Sequence, residues 1–220
     1  MTTPARAATL ARTLADLARA DVHPLVLTNP GRDAPAETRA AGLAACRHAT
    51  RAGRHLLFLE DDIRITDPDL LKHHLTAALN ANAITLLCAV NRTHYPPHAL
   101  TEREPIRARL ERMPNPGART GARGGLHGSM AVLIPYRIAR AATTTPHLFQ
   151  HPDGTLLTHP VLPDDHQHDR VTGFDFYLRH VARTDGALVA IPNPIDHVGT
   201  DPARERWRSP TAGRKWRSDA

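Results

Sequence analysis

Glu60-Asp61-Asp62 stand directly after His55-Leu56-Leu57-Phe58-Leu59, the clearest strand signal in the chain. Adjacent carboxylates repel one another, so such a cluster costs stability unless solvent or a cation offsets it. Oxygen donors of this kind suit hard divalent ions such as Mg²⁺ or Mn²⁺. In an extended chain alternate side chains point the same way, which puts Glu60 and Asp62 on one side. The same residues also read as a solvated turn or a helix-capping region. A second metal site is offered by Asp164-Asp165-His166-Gln167-His168-Asp169. Its alternating histidines suit a metal-dependent hydrolase, or they form a polar loop, since no apolar strand presents them.

The elements that must position these groups follow from hydrophobic spacing and stop signals. Leu10, Leu14 and Leu17 give a helix over 5–20,. Val22 to Thr28 reads as a buried strand stopped by Asn29-Pro30-Gly31, and 35–51 as an Ala-rich helix ended by Gly53,. After the acids, Thr66 or Asp67 caps a helix with Pro68 in its first turn, running to about Asn80,. A strand is expected over 83–90, a helix between Glu102 and Met113, a glycine-rich stretch over 121–128, and a strand over 129–135 with a short helix from Tyr136. Residues 143–172 read as irregular, 173–184 as a helix and 187–191 as a strand. Strands alternating with helices predict an α/β domain with a mostly parallel central sheet flanked by helices. A ligand is expected at the carboxyl ends of its strands.

Leu57-Phe58-Leu59-Glu60-Asp61-Asp62-Ile63 resembles the acidic DxD segment of GT-A-type glycosyltransferases, with Glu in the first acidic place. Gly173-Phe174-Asp175-Phe176-Tyr177-Leu178-Arg179 resembles the segment that supplies the base in inverting members, although Phe174 stands where an acid is common. Ile191-Pro192-Asn193-Pro194-Ile195-Asp196-His197-Val198-Gly199 resembles the late H-x-G segment of members with a histidine metal ligand. Thr2-Thr3-Pro4-Ala5-Arg6 is similar to the end of the first nucleotide-binding strand; almost nothing precedes it, so that strand is short or the start truncated.

The resemblance implies a single GT-A-like, Rossmann-like domain over 1–200. Its nucleotide-binding half would be 1–90 and its acceptor-side half 91–200, followed by a basic tail, 201–220, that serves as a lid or is a disordered end. It implies a metal-dependent transfer of sugar from a nucleotide-diphosphate sugar to an acceptor hydroxyl, with inversion favoured and retention open. Asp62 and His197, with Glu60, would hold Mn²⁺ or Mg²⁺. Thr3, Arg6, Glu60, Asp61, Arg204 and Arg208 would contact the donor, with Arg206 and Arg214 as further tail candidates. Asp175 would be the base, or would merely support its helix terminus. The stretch 124–130 would shape the acceptor pocket or simply form a flexible loop.

Bulk properties narrow the alternatives. The 220 residues suffice for one well-packed domain,. No run of 18 apolar residues occurs, so no transmembrane segment is expected,. The N-terminal stretch reads as a first core helix rather than as a transit peptide. Two cysteines, Cys46 and Cys88, predict free thiols and a cytoplasmic setting,. The net charge is +6, carried almost wholly by arginine, with Lys72 and Lys215 the two lysines. That bias suits an anionic substrate as well as a nucleic-acid-binding module, for which no motif is present. A nucleotidyltransferase and a metal-dependent hydrolase are the competing enzyme readings.

Overall fold

The computed structural model describes residues 4–26, 34–60, 63–90, 92–114, 131–144, 174–198 and 209–218. Helix α1 (Pro4–Arg19) ends where Asp21 takes a left-handed conformation, with the Asp21 and Val22 N–H groups bonded back to Ala18 and Leu17. Helix α2 (Ala34–Arg51) closes in the same manner at Gly53, φ 65°, which a residue without a Cβ adopts at no steric cost,. The chain then enters β1 (Leu56–Leu59) and, from the third residue after Glu60, β2 (Ile63–Ile65). Helix α3 (Pro68–Ala81) is capped by Asp67, whose carboxylate accepts from the Asp69 and Leu70 N–H groups, both at 3.0 Å,. Then come β3 (Ile84–Cys88), the short α4 (Pro97–Thr101), β4 (Ile106–Arg107) and β5 (Arg109–Arg112). They are followed by β6 (Ala131–Ile134), α5 (Tyr136–Thr144), α6 (Phe174–Asp185), β7 (Ala187–Ile191), β8 (Ile195–His197) and β9 (Trp216–Arg217).

Among the described residues the main sheet has five strands in the order β1-β6-β3-β7-β5. Strands β1, β3 and β7 run one way, while β6 and β5 run against them. One face packs on α2, α5 and α6 through Leu56, Phe58, Leu86, Val132, Ile134 and Val189. The other packs on α1 and α3, with Leu17, Leu71, Leu57 and Ala190 in its core. A register shift between Leu86 and Cys88 turns the consecutive Leu87 and Cys88 into this second core,. Two small sheets, β2-β8 and β4-β9, flank the main one. No helix among the described residues is long and apolar enough to cross a membrane.

The α/β class holds, but the expected mostly parallel sheet is mixed, and β3–β7 is its one parallel pair. A parallel neighbour requires a crossover that returns the chain to the starting edge. Helix α4, at five residues, is only about 8 Å long,. The chain therefore re-enters from the carboxyl edge, and β5 runs back along β7. The helix expected over 102–113 is instead β4 and β5, because pairing with β9 and β7 overrides the helix-forming Arg, Glu and Leu,. The strand expected over 22–28 is absent from 22–26, where Leu25 and Val26 are exposed; Pro24 removes a ladder donor from its middle,. Residues 4–6, read as the end of a first strand, open helix α1. In the tail, expected to be irregular, Trp216–Arg217 pairs in parallel with β4.

Candidate functional site

The carboxyl ends of β1, β3 and β7 line one edge of the sheet. From that edge β1 passes through Glu60 towards β2, and β7 passes through Pro192-Asn193-Pro194 into β8. The two continuations pair antiparallel, Ile63 opposite His197, Arg64 opposite Asp196 and Ile65 opposite Ile195. The Thr66 N–H donates to the Pro194 carbonyl at 2.9 Å, which sets the phase of the ladder. Hydrogen-bonded and non-bonded pairs alternate, so Ile63–His197 is a non-bonded pair, the type whose side chains stand closest. Ile63, Ile65, Ile195 and His197 share a buried face, and Arg64 on the other face is exposed,. The outward Ile63 carbonyl accepts from Thr13 Oγ1 of α1 at 2.7 Å.

The turn that delivers β8 is held by a dense set of hydrogen bonds. Asn193 lies between two prolines, which have no N–H to satisfy,. Its own N–H donates to Thr211 Oγ1 at 3.0 Å, and its side-chain amide donates to the Ala190 carbonyl. Its Oδ1 accepts from the Ala89 N–H at 2.6 Å and from Ser209 Oγ at 3.0 Å, with the Tyr95 hydroxyl at 2.7 Å. That hydroxyl is also 2.7 Å from the Ala89 carbonyl and 2.9 Å from Ser209 Oγ. Burial pushes the Tyr95 phenol well above its ordinary pKa, so it stays protonated,. The Pro192 carbonyl accepts from His74 Nε2 at 2.9 Å, and the Pro194 carbonyl from Thr66 Oγ1 at 3.0 Å. Asp196 Oδ1 accepts from the N–H of His197 at 3.0 Å and of Ser209 at 2.9 Å, tying the end of β8 to the returning tail. A satisfied buried network of this kind fixes one geometry.

His74 is fully buried on α3. Burial lowers its pKa to about 4, against the opposing effect of its bond to Pro192. The ring is therefore neutral, with its proton on Nε2 for the Pro192 carbonyl. Its Nδ1 finds no hydrogen-bond partner among the described residues.

Of the residues singled out by sequence, Glu60 is half-buried at the end of β1, and His197 ends β8 with 2% of its surface exposed. Thr3, Asp61, Asp62, Arg204, Arg206 and Arg208 lie outside the described residues, as do 124–130 and 164–169. Arg6 and Asp175 fall in the first turns of α1 and α6. The β2–β8 pairing brings His197 beside the residue that follows the acidic triplet. In α6 the Tyr177 hydroxyl donates at 2.7 Å to the Ile138 carbonyl of α5, and the last turn, at Asp185, meets Arg137 at the start of α5. Arg214 reaches the Glu102 and Ala99 carbonyls and Glu104, in the segment between β3 and β5.

Among the described residues no three His, Cys, Asp or Glu side chains are grouped to hold an ion. The set inferred from sequence spans Glu60 and His197 and includes Asp62 from outside them. Sequence reasoning missed Asn193, Asp196, Tyr95 and His74 as the frame of this edge. The one local signal was Pro192-Asn193-Pro194, an amide-bearing residue in a turn otherwise lacking donors. No protein-family model, curated protein or solved structure matches the chain.

Proposed function

We propose that this protein is a metal-dependent glycosyltransferase of GT-A type, moving a sugar from a nucleotide-diphosphate donor to an acceptor hydroxyl. The observation that supports this reading most is the pairing of Ile63 with His197. It aligns the strand leaving the acidic triplet with the strand bearing the histidine, at the edge where α/β sheets gather ligands. Asp62, His197 and Glu60 are the residues to hold Mn²⁺ or Mg²⁺. A bound ion supplies Lewis-acid stabilisation of the departing diphosphate. Asp61 and Glu60 orient the donor, and Arg204 and Arg208 add fixed positive charge to the leaving group. Asp175 takes the proton of the acceptor hydroxyl, which requires the acceptor to reach the start of α6.

The test is a thermal-shift and calorimetry screen of nucleoside diphosphates and nucleotide sugars, with and without Mn²⁺. One diphosphate is expected to bind only with the ion, and Asp62→Asn or His197→Gln to weaken that binding at least about tenfold. Metal-independent binding, or wild-type affinity in both variants, would end this reading. Pyrophosphate as the product would assign a nucleotidyltransferase, and cleavage without an acceptor a hydrolase.

A further inference from the structure

The last two turns of α2 carry Arg47 and Arg51, four residues apart and so on one side of the helix, and Arg54 follows in the turn after Gly53,. All three are exposed. Helix α5 packs beside α2 through Leu43, Cys46, Ile138, Ala139 and Ala142, and it presents Arg140, also exposed. The turn and the helix are pinned together where the Tyr136 N–H meets His55 Nδ1 at 3.4 Å. No acidic residue occurs in 41–55 or in 136–144. Asp185, at the end of α6, is occupied by Arg137. None of Arg47, Arg51, Arg54 and Arg140 has an ion-pair partner among the described residues.

Local electrostatics account for only part of this cluster. Arg51 sits at the carboxyl end of α2, where the helix dipole welcomes a cation,. Arg137 and Arg140 stand in the amino-terminal half of α5, where the dipole does not,. Neighbouring helices lie roughly 8–10 Å apart, so the guanidinium groups share one small field that repels itself. We infer that this α2–α5 face docks on an anionic phospholipid surface, its arginines meeting the lipid phosphates.

The composition of the face selects that partner. Guanidinium forks match phosphate oxygens. Around the arginines the exposed positions include Ala44, His48, Ala52, Gly53, His55 and Ala141, none of them acidic, so no negative charge screens the guanidinium groups from a plane of phosphates. No exposed Phe, Tyr or Trp for stacking single-stranded bases occurs in 41–55 or 136–144; the exposed rings there are the imidazoles of His48 and His55,. Neither helix projects to enter a groove of duplex DNA, since the inner side of each is buried in the core,. The face is built from the helices that leave and enter the amino edge of β1, away from Glu60 and His197, so docking leaves the carboxyl edge free.

The experiment is cosedimentation of the full chain with vesicles of phosphatidylcholine alone or equimolar with phosphatidylglycerol, at a fixed salt concentration. Binding is expected to the mixed vesicles only. The triple variant Arg47→Gln/Arg51→Gln/Arg54→Gln should bind about five-fold more weakly per charge removed, on the order of a hundredfold in all. Its melting temperature should fall by no more than a few degrees, because the three side chains are exposed, have no ion-pair partner among the described residues, and only Arg51 stands at a helix end,. A control triple removing equal charge elsewhere, Arg12→Gln/Arg103→Gln/Arg112→Gln, should lose much less. Equal losses in the two triples, no binding to mixed vesicles, or tighter binding to duplex DNA at the same salt would each overturn the inference.

Discussion

Tyr95 illustrates how much of the candidate site depends on single polar atoms. Its hydroxyl lies between Ala89, Asn193, Ser209 and Thr211, four groups scattered along the chain. Removing it in Tyr95→Phe leaves the Ala89 carbonyl without that buried donor, at a cost of about 1–3 kcal/mol. Urea unfolding should show a lower midpoint with an unchanged slope. A wild-type midpoint would mean that the network is dispensable. His74 adds a pH dependence. Its folded pKa, about 4, lies below the unfolded value of 6.5. The unfolded chain therefore binds the extra proton first. The stabilisation is complete above the unfolded pKa and is lost as pH falls from 6.5 towards 4, by about 3 kcal/mol at most. His74→Gln can keep a donor for Pro192 but cannot titrate. Its stability, measured by denaturation at a series of pH values, should fall less steeply over that window than that of the wild type. Parallel curves would show that His74 already shares its proton in the fold. At this scale the sequence exposed the acids and His197, because their chemistry is written in their types. It concealed Tyr95 and His74, whose roles arise only when partners about a hundred positions away arrive.

Elements divide along the same line. Helices α1, α2 and α3 were legible because their signals are local. A capping aspartate, a proline in the first turn and a glycine with positive φ each act within a few residues,. Strands β1, β3, β6 and β7 were legible as apolar runs. The ribbon of β2 and β8 was not, since three residues are too few to show a period,. Strand β5 was misread for the opposite reason: Arg109-Leu110-Glu111-Arg112 carries helix-forming residues that pairing with β7 overrules. Its charges are settled by Arg109 between Glu102 and Glu111, with His98 on Glu111. The direction of the strands was beyond sequence altogether, because it depends on the edge from which the chain re-enters after α4.

For the molecule as a whole, the far end of the chain is a structural member of the sheet's carboxyl edge. Ser209 and Thr211 are buried and bonded to Asn193 and Asp196. Lys215 and Arg217 supply carbonyls to the N–H groups of Ile106 and Ala108, at 2.8 and 3.0 Å. Trp216 Nε1 donates at 2.6 Å to Asp67, the residue that caps α3, and α3 in turn carries His74 to Pro192. The tail thus reaches the turn before β8 by two routes, one through Asn193 and one through α3. Two truncations separate a brace from a loose end. Ending the chain after Lys215 removes the β9 pairing and the Trp216 bond, a loss of about 2 kcal/mol at roughly 1 kcal/mol per hydrogen bond. The melting temperature should drop by several degrees with the transition still cooperative, roughly 2–4 °C per kcal/mol for a domain of this size. Ending it after Arg208 also strips partners from Asn193, Asp196 and Tyr95 and takes Arg214 from Glu102. About half a dozen bonds at that worth approach the whole stability of an ordinary domain, about 5–15 kcal/mol. The shorter chain should therefore lose its cooperative thermal transition by circular dichroism. If it melts like the full-length protein, the tail merely lies on a carboxyl edge that stands without it.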